Sequence, residues 1–263
     1  MHDDATRLGH HEAPSPDRHD APPSSGADRP GRMSPDSLPR GRLIRVVGDV
    51  HGDARAFAIA VQTDRFVVQL GDVVDYGPDS AETLRIALDM VTEGRGVFLL
   101  GNHDLKLRRA LAGRDVRVGP ELAVTLAQLD PGLRARAAVA IDRAPVWLHQ
   151  RSAPGVERLF VHGAFHTDML RACPPPVPEG RVHGVLARAL YGQTTGRLQP
   201  DGYPERVLHW VDYIPAGMTV YCGHDRRSTD GRPYVRSGRA GGTAVFLDTG
   251  AGKGGHLSWI DLP

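Results

Sequence analysis

Asp49 and His51 stand two apart in Gly48-Asp49-Val50-His51-Gly52, directly after the apolar run Leu43, Ile44, Val46 and Val47. A β-branched run emptying into small and polar residues reads as a buried strand and its loop. In extended backbone, residues two apart point the same way, so this carboxylate and imidazole can grip one cation. Glycine on either side lets the chain turn tightly against whatever is held. The pattern returns twice: 66–70 runs into Gly71-Asp72-Val73-Val74-Asp75, and 97–100 into Gly101-Asn102-His103-Asp104. Two further strand-like runs, 159–161 and 220–222, end in His162-Gly163 and Gly223-His224.

Collected in order, the strand-end ligands are Asp49, His51, Asp72, Asn102, His162 and His224. Carboxylate, imidazole and amide oxygen together suit borderline first-row cations over Ca²⁺, with Mn²⁺ first and Fe or Zn²⁺ as alternatives. The set exceeds the needs of one tetrahedral ion but serves two ions that share a carboxylate. Two such ions, about 3.5–4 Å apart, can hold a bridging hydroxide and clamp a phosphate for in-line attack. Singly, each residue has a plainer reading: a structural histidine at His162, a turn at Gly71-Asp72, an αL turn residue at Asn102. Recurrence at the same structural place favours the metal site.

The elements that must position these residues follow from spacing. Residues 53–63 read as a short helix. Asp79 followed by Glu82 is a capping box, and Leu84, Ala87, Leu88 and Val91 keep helical spacing up to Gly94. Strand, loop and helix repeated in this order imply a sheet covered by helices. A helix is expected over 105–111, and two short helices over 121–141 around Asp130-Pro131-Gly132, forming a lid on one side of the site. Beyond Pro145 the chain turns to strands at 159–161, 220–222, 244–247 and 257–260. Residues 173–178 form a proline-rich loop, and 191–203 are polar and Gly-rich.

Residues 1–40 are rich in Pro, Ser, Asp, Arg and His without periodic apolar positions. They cannot bury enough surface to offset chain entropy, so a disordered tail is expected there, with His10 and His11 solvated. Residues 41–263 are expected to form one domain; 40% hydrophobic content over 263 residues suits one sizeable core. A net charge of +1 provides no strong field for long nucleic acid or an acidic membrane. Cys173 and Cys222 make neither a metal-ligand spacing nor a disulfide framework, which suits reduced thiols in a cytoplasmic protein. No apolar run is long enough to span a bilayer, and no secretory h-region is present.

The five motifs, from Gly48-Asp49 to Gly223-His224, resemble those of calcineurin-like metallophosphoesterases, in particular the branch of phosphoprotein phosphatases and bacterial diadenosine tetraphosphatases. Tyr191-Gly192-Gln193-Thr194-Thr195-Gly196 and Phe246-Leu247-Asp248-Thr249-Gly250 further resemble the phosphatase domain of bacterial polynucleotide kinase-phosphatase, although no P-loop accompanies them. The resemblance implies an α/β (α+β) fold, a four-layered αββα sandwich of two mixed sheets with two divalent metals at the sheet edges. It implies Asp49, His51 and Asp72 on the first metal, and Asp72, Asn102, His162 and His224 on the second, with Asp72 bridging. It makes His103 the acid that protonates the leaving alkoxide and Asp75 the carboxylate that orients it. An imidazolium paired with a carboxylate suits that task near neutral pH; a His103 that merely caps its loop is the alternative.

One position departs from the family pattern. Where the family has a phosphate-binding arginine after the Asp75 position, this chain has Tyr76. Tyrosine brings one donor and no charge, so it cannot act as a bidentate clamp. Weaker hydrolysis of monoester dianions and a shift towards diesters or less charged substrates are expected. Tyr76, Arg108 and Arg226 are the candidate substrate contacts, with Arg109 and Arg227 nearby as further sources of charge. Asp225 also replaces the threonine or serine often found after the His224 position. The expected function is a metal-dependent phosphoric ester hydrolase acting on nucleotides, other phosphorylated small molecules or nucleic-acid ends. The alternatives are a protein serine/threonine phosphatase, a dinucleoside tetraphosphatase, and a non-catalytic metal- and phosphate-binding module.

Overall fold

Alternation along the strands decides how the layers stack. The computed structural model describes residues 38–39, 41–151, 155–177, 179–200 and 204–263, all within the unit Gly31–Pro263. The elements begin with β1 (Ile44–Val47), α1 (Ala54–Ala60), β2 (Phe66–Gln69), α2 (Ser80–Thr92), β3 (Gly96–Phe98) and α3 (Asn102–Leu111). Next come α4 (Pro120–Gln128), α5 (Pro131–Arg143), β4 (Trp147–Arg151), β5 (Glu157–Val161) and α6 (Gly184–Tyr191). The chain closes with β6 (Thr194–Leu198), β7 (Pro204–Arg206), β8 (Met218–Cys222), β9 (Tyr234–Ser237), β10 (Thr243–Phe246) and β11 (Trp259–Leu262).

The first sheet has the order β11-β1-β2-β3, parallel except for β11. The second has the order β4-β5-β8-β10-β9, with β5, β8 and β10 parallel and both edges antiparallel. Ile44, Val46, Phe66, Val68 and Val97 of the first sheet meet Leu148, Phe160, Tyr221 and Val245 of the second in one buried layer. Their alternates, Val47, Val67 and Phe98, cluster instead with helical residues Phe57, Leu84, Leu88 and Leu105. Leu159, Val161, Val220 and Phe246 do the same on the outer face of the second sheet, with Ala189, Leu190 and Trp210. Period-two burial on both faces therefore yields helix, sheet, sheet, helix. Each fully buried aliphatic or aromatic side chain contributes about 1.5–3 kcal/mol, which makes the sheet spacing costly to change.

The fold is the expected sandwich, with differences in detail. Leu38, within the expected tail, is buried in the layer between the sheets. Pro39 beside it is half-buried, and the rest of that tail, His10 and His11 included, lies outside the described residues. Helix α3 starts at Asn102 instead of 105, because the Asp104 carboxylate reaches back to the Gly101 N–H at 3.0 Å and caps the turn. Asn102 and His103 thus sit in the first helical turn. Strands β4 and β9 lie outside the expected strand runs. The hairpin of β6 and β7 falls in the stretch read as polar and Gly-rich; β6 is exposed along its length and has no apolar alternation to reveal it. Among the described residues no helix is long and apolar enough to cross a membrane.

Candidate metal centre and active site

Every parallel strand of the two sheets ends at one place, and each delivers a polar side chain there. Asp49 follows β1, Asp72 follows β2 and Asn102 follows β3; His162, His224 and Asp248 follow β5, β8 and β10. Ligands in open α/β sheets gather outside the carboxyl ends of the strands, and here two such sheets converge. The approach is close: a Cβ on Gly223 would lie 2.0 Å from Asp49 Oδ1. Glycine there lets the second sheet bring the His224 N–H to the Asp49 carboxylate, at 3.1 and 3.0 Å from its two oxygens. The non-glycine residues at positive φ among those described are His51, Asp72, Asp75, Tyr76 and His224, all at this place. Strain of this kind persists only where its surroundings over-determine it, and it gathers at functional sites.

Two groups of side chains could each hold a cation: Asp72 with His162 and His224, and Asp49 with His51 and Asp248. Asp72 Oδ2 lies 3.6 Å from His51 Nε2 and 3.4 Å from His162 Nε2, between the two groups. Asn102 Oδ1 is 3.0 Å from His162 Nε2. Donor atoms about 2.0–2.2 Å from one ion stand roughly 3–3.6 Å from each other, so these spacings suit coordination. The tautomers suit it too. His51 Nδ1 donates to the Val74 carbonyl at 3.0 Å and His162 Nδ1 to that of Leu70 at 2.9 Å, which turns each Nε2 lone pair inward. Among the described residues, His51 Nε2 and His224 Nε2 are buried with no hydrogen-bond partner.

The electrostatics make the same demand. Burial, reinforced by Asp248, pushes the Asp49 carboxyl well above the ordinary range. Burial works against the Asp72 carboxylate as well, but the His162, His103 and His51 imidazoles outweigh it and hold its pKa well below. Burial lowers His51 and His224 well below the ordinary imidazole value, which favours the neutral form that binds metal. His162 is also desolvated, yet Asp72, Asp49 and Asp104 outweigh this and raise it to about 9. A cation bound here must displace that proton. Three nearly inaccessible carboxylates, Asp49, Asp72 and Asp248 at 1%, 2% and 2% exposure, call for compensating positive charge, which divalent ions would bring.

Beside this cluster His103 Nδ1 meets Asp75 Oδ2 at 2.6 Å, and Thr125 Oγ1 on α4 donates to Asp75 Oδ1 at 2.7 Å. Burial would lower the His103 pKa, but Asp72 and Asp75 outweigh it and leave the imidazole above its ordinary value. The backbone N–H of His103 donates to Asp72 Oδ1 at 2.9 Å, tying this residue to the metal centre. Asp104 links the loops from below: it accepts from Asp72 N at 2.8 Å and Val73 N at 3.1 Å. Burial, with the Asp72 charge, raises its carboxyl to about 6.

The six ligands expected from sequence therefore lie together, with His103 and Asp75 alongside. The substrate candidates are scattered. Tyr76 sits against His51 and His103, with ring centroids 5.1 and 5.2 Å away. Arg108 is turned towards Asp142 of α5 in an ion pair, and Arg226 is exposed on the loop after His224. Three further contributors lie outside the expected set: Asp248, Thr125 and Asp104. Asp248 was legible by the rule used for the others, since it follows a strand-like run. Thr125 and Asp104 carry no such signal: a threonine within a helix and an aspartate after His103 acquire their roles only by folding.

The chain is similar to known proteins over most of its length. Over 243 residues the chain is 23% identical to the asymmetrical bis(5'-nucleosyl)-tetraphosphatase PrpE of Anoxybacillus flavithermus, covering 84% of this chain and 91% of that one. The corresponding protein of Bacillus velezensis is 29% identical over 206 residues, covering 76% of this chain and 75% of its own length. A solved structure of a suspected diadenosine tetraphosphatase superposes with a TM-score of 0.56 at 22% identity, covering 86% of this chain and 92% of that one. The family model for calcineurin-like phosphoesterases matches residues 43–185. Membership implies divalent metal ions, for which the two groups above are candidate holders. The chain belongs to the calcineurin-like phosphoesterase family and is a metal-dependent hydrolase.

Proposed function

We propose that the protein hydrolyses nucleotide phosphates at a dinuclear metal centre, with a dinucleoside tetraphosphate as the first substrate to test. The convergence of six parallel strand ends on one cluster of carboxylates and imidazoles carries the reading. In it Asp49, His51 and Asp248 hold one ion, Asp72, Asn102, His162 and His224 the other, and Asp72 lies between them. Two divalent cations, Mn²⁺ by preference, supply Lewis acidity towards phosphoryl oxygens and activate water at neutral pH when bound.

The chain's own groups do the rest. His103, with Nδ1 engaged by Asp75, keeps Nε2 for delivering a proton to the departing oxygen. Thr125 fixes the second Asp75 oxygen, so the imidazole is held in one orientation. The N-terminus of α3 faces the same site and favours anionic charge there. The substrate class rests on the relatives named as bis(5'-nucleosyl)-tetraphosphatases, which match most of this chain. Tyr191–Gly196 favours a second reading, a phosphate at a nucleic-acid end. Gly192 lies beside His224, where an added Cβ would be 3.7 Å from its Cδ2. A cytoplasmic location suits either substrate.

The test is hydrolysis of diadenosine tetraphosphate, aryl mono- and diesters and a 3'-phosphorylated oligonucleotide with Mn²⁺, Ni²⁺, Co²⁺ or Zn²⁺. Metal-dependent cleavage of the dinucleotide to a triphosphate and a monophosphate is expected. Absence of hydrolysis on every substrate with every metal would sink the proposal. A non-catalytic module is disfavoured by the His103, Asp75 and Thr125 arrangement, for which binding alone has no need.

A further inference from the structure

Lys253 is one of only two lysines in the chain, and its loop is pressed onto the candidate metal centre. The loop leaves β10 and folds back on itself: Lys253 N and Gly255 N both donate to the Gly250 carbonyl, at 3.0 and 2.8 Å. Gly252, at φ +69°, passes so near His51 that a Cβ would lie 2.1 Å from the His51 carbonyl oxygen. No larger residue fits there, and the lysine that follows is thereby carried to the site. Its Nζ stands 4.6 Å over the Tyr76 ring centroid, the ring that touches both His51 and His103. The Lys253 charge acts on Asp49, His51, His103 and His224 alike.

Several neighbouring cations are otherwise engaged, while Arg226 is exposed on the loop after His224. Arg108 pairs with Asp142, Arg227 with Asp225, and Arg109 donates to the Gly180 carbonyl. No ion pair among the described residues involves Lys253. A cation–π contact of this kind is weak, enough to bias the ammonium without locking it.

We propose that Lys253 binds the substrate's phosphate oxygens and supplies the positive charge missing at Tyr76, whose ring serves as its resting platform. The inference rests on the phosphoesterase reading above. A lysine is a point charge on a flexible stem with three donors, in contrast to the rigid arginine fork. It can follow a phosphate among several positions, as a polyphosphate chain would require.

The test compares the parent with Lys253→Met and Lys253→Arg, all metal-loaded. Metal content, calorimetric binding of inorganic phosphate, and kcat/KM on phenyl phosphate and an aryl diester are measured. Lys253→Met is expected to keep its metal, bind phosphate about tenfold more weakly, and lose monoester kcat/KM by at least as much, with a smaller loss on the diester. Lys253→Arg should retain most of both, and adding Tyr76→Arg to Lys253→Met should restore phosphate binding. Unchanged phosphate binding in Lys253→Met overturns the inference, and so does loss of its metal, which would make the lysine structural. A parent that binds phosphate through Lys253 but cleaves no ester would sink the phosphoesterase reading alone.

Discussion

The first sheet delivers its polar groups in clusters: Asp49 with His51, Asp72 with Asp75, and Asn102 with His103 and Asp104, each within a few residues of a strand end. The second sheet delivers single residues, His162, His224 and Asp248, at the ends of β5, β8 and β10. Both candidate metal groups draw on both sheets: Asp72 joins His162 and His224, and Asp49 and His51 join Asp248. Neither sheet alone can assemble a complete group. The clusters fix local geometry, whereas the single residues depend on how the sandwich closes. Gly223 against Asp49 is the point at which that closure is most exacting.

The largest expected effect tests this division. Asp72→Asn removes the group between the two metal clusters and should abolish bound metal, measured by elemental analysis, with activity falling about 10³-fold or more. His224→Ala or Asp248→Asn should each retain about half the metal. Equal, complete loss in all three variants would break the comparison, because the two groups would then be one indivisible unit.

His103→Ala should keep its metal and lose turnover by about 10²–10⁴-fold on alkyl phosphates, and far less on aryl phosphates or anhydrides with good leaving groups. An equal loss across a leaving-group series would refute the acid role. A smaller effect, about tenfold on the same poor leaving groups, is expected for Thr125→Val, which leaves the buried Asp75 Oδ1 without its donor. Metal content should not move in that variant; if it does, Thr125 supports the first-sheet loops instead of the acid.

The smallest effect lies away from the site. Arg45 forks onto Asp261 at 2.7 and 2.9 Å, joining β1 to β11. The Arg45 hydrogen bonds hold the Asp261 carboxyl below its ordinary value, so its stabilisation is complete above the unfolded pKa of about 4 and fades as pH falls through the folded one. Because Asp261 is partly exposed, Asp261→Asn should cost only about 0.5 kcal/mol near neutral pH and nothing in strong acid, with kcat unchanged. Denaturant melts at pH 7 and pH 2.5 would show it. A pH-independent cost would assign the effect to packing.

The first-sheet motifs were legible because their spacing is the geometry: Asp49 and His51 share a direction wherever the strand end lies. The helices α4 and α5 were also legible, since Asp130-Pro131-Gly132 divides one apolar, alanine-rich stretch into two. The single residues of the second sheet were weaker signals, and Asp248 stood in a quoted motif without being counted as a ligand although a strand-like run precedes it. Edge strands β4 and β9 combine polar and apolar residues in ways that their partners, more than their own propensity, make extended.

What the chain's order of residues determined by itself is the chemistry on offer: carboxylates, imidazoles and one amide at strand ends, with glycines where the turns are tight. Tertiary structure alone decided which of them meet, because convergence of two sheets depends on packing between residues far apart in sequence. It joined Thr125 to Asp75 across 50 positions, made Asp104 a clip between loops, and carried Lys253 over Tyr76. Local spacing can encode a direction, but only a packed core fixes the distance between two separate segments.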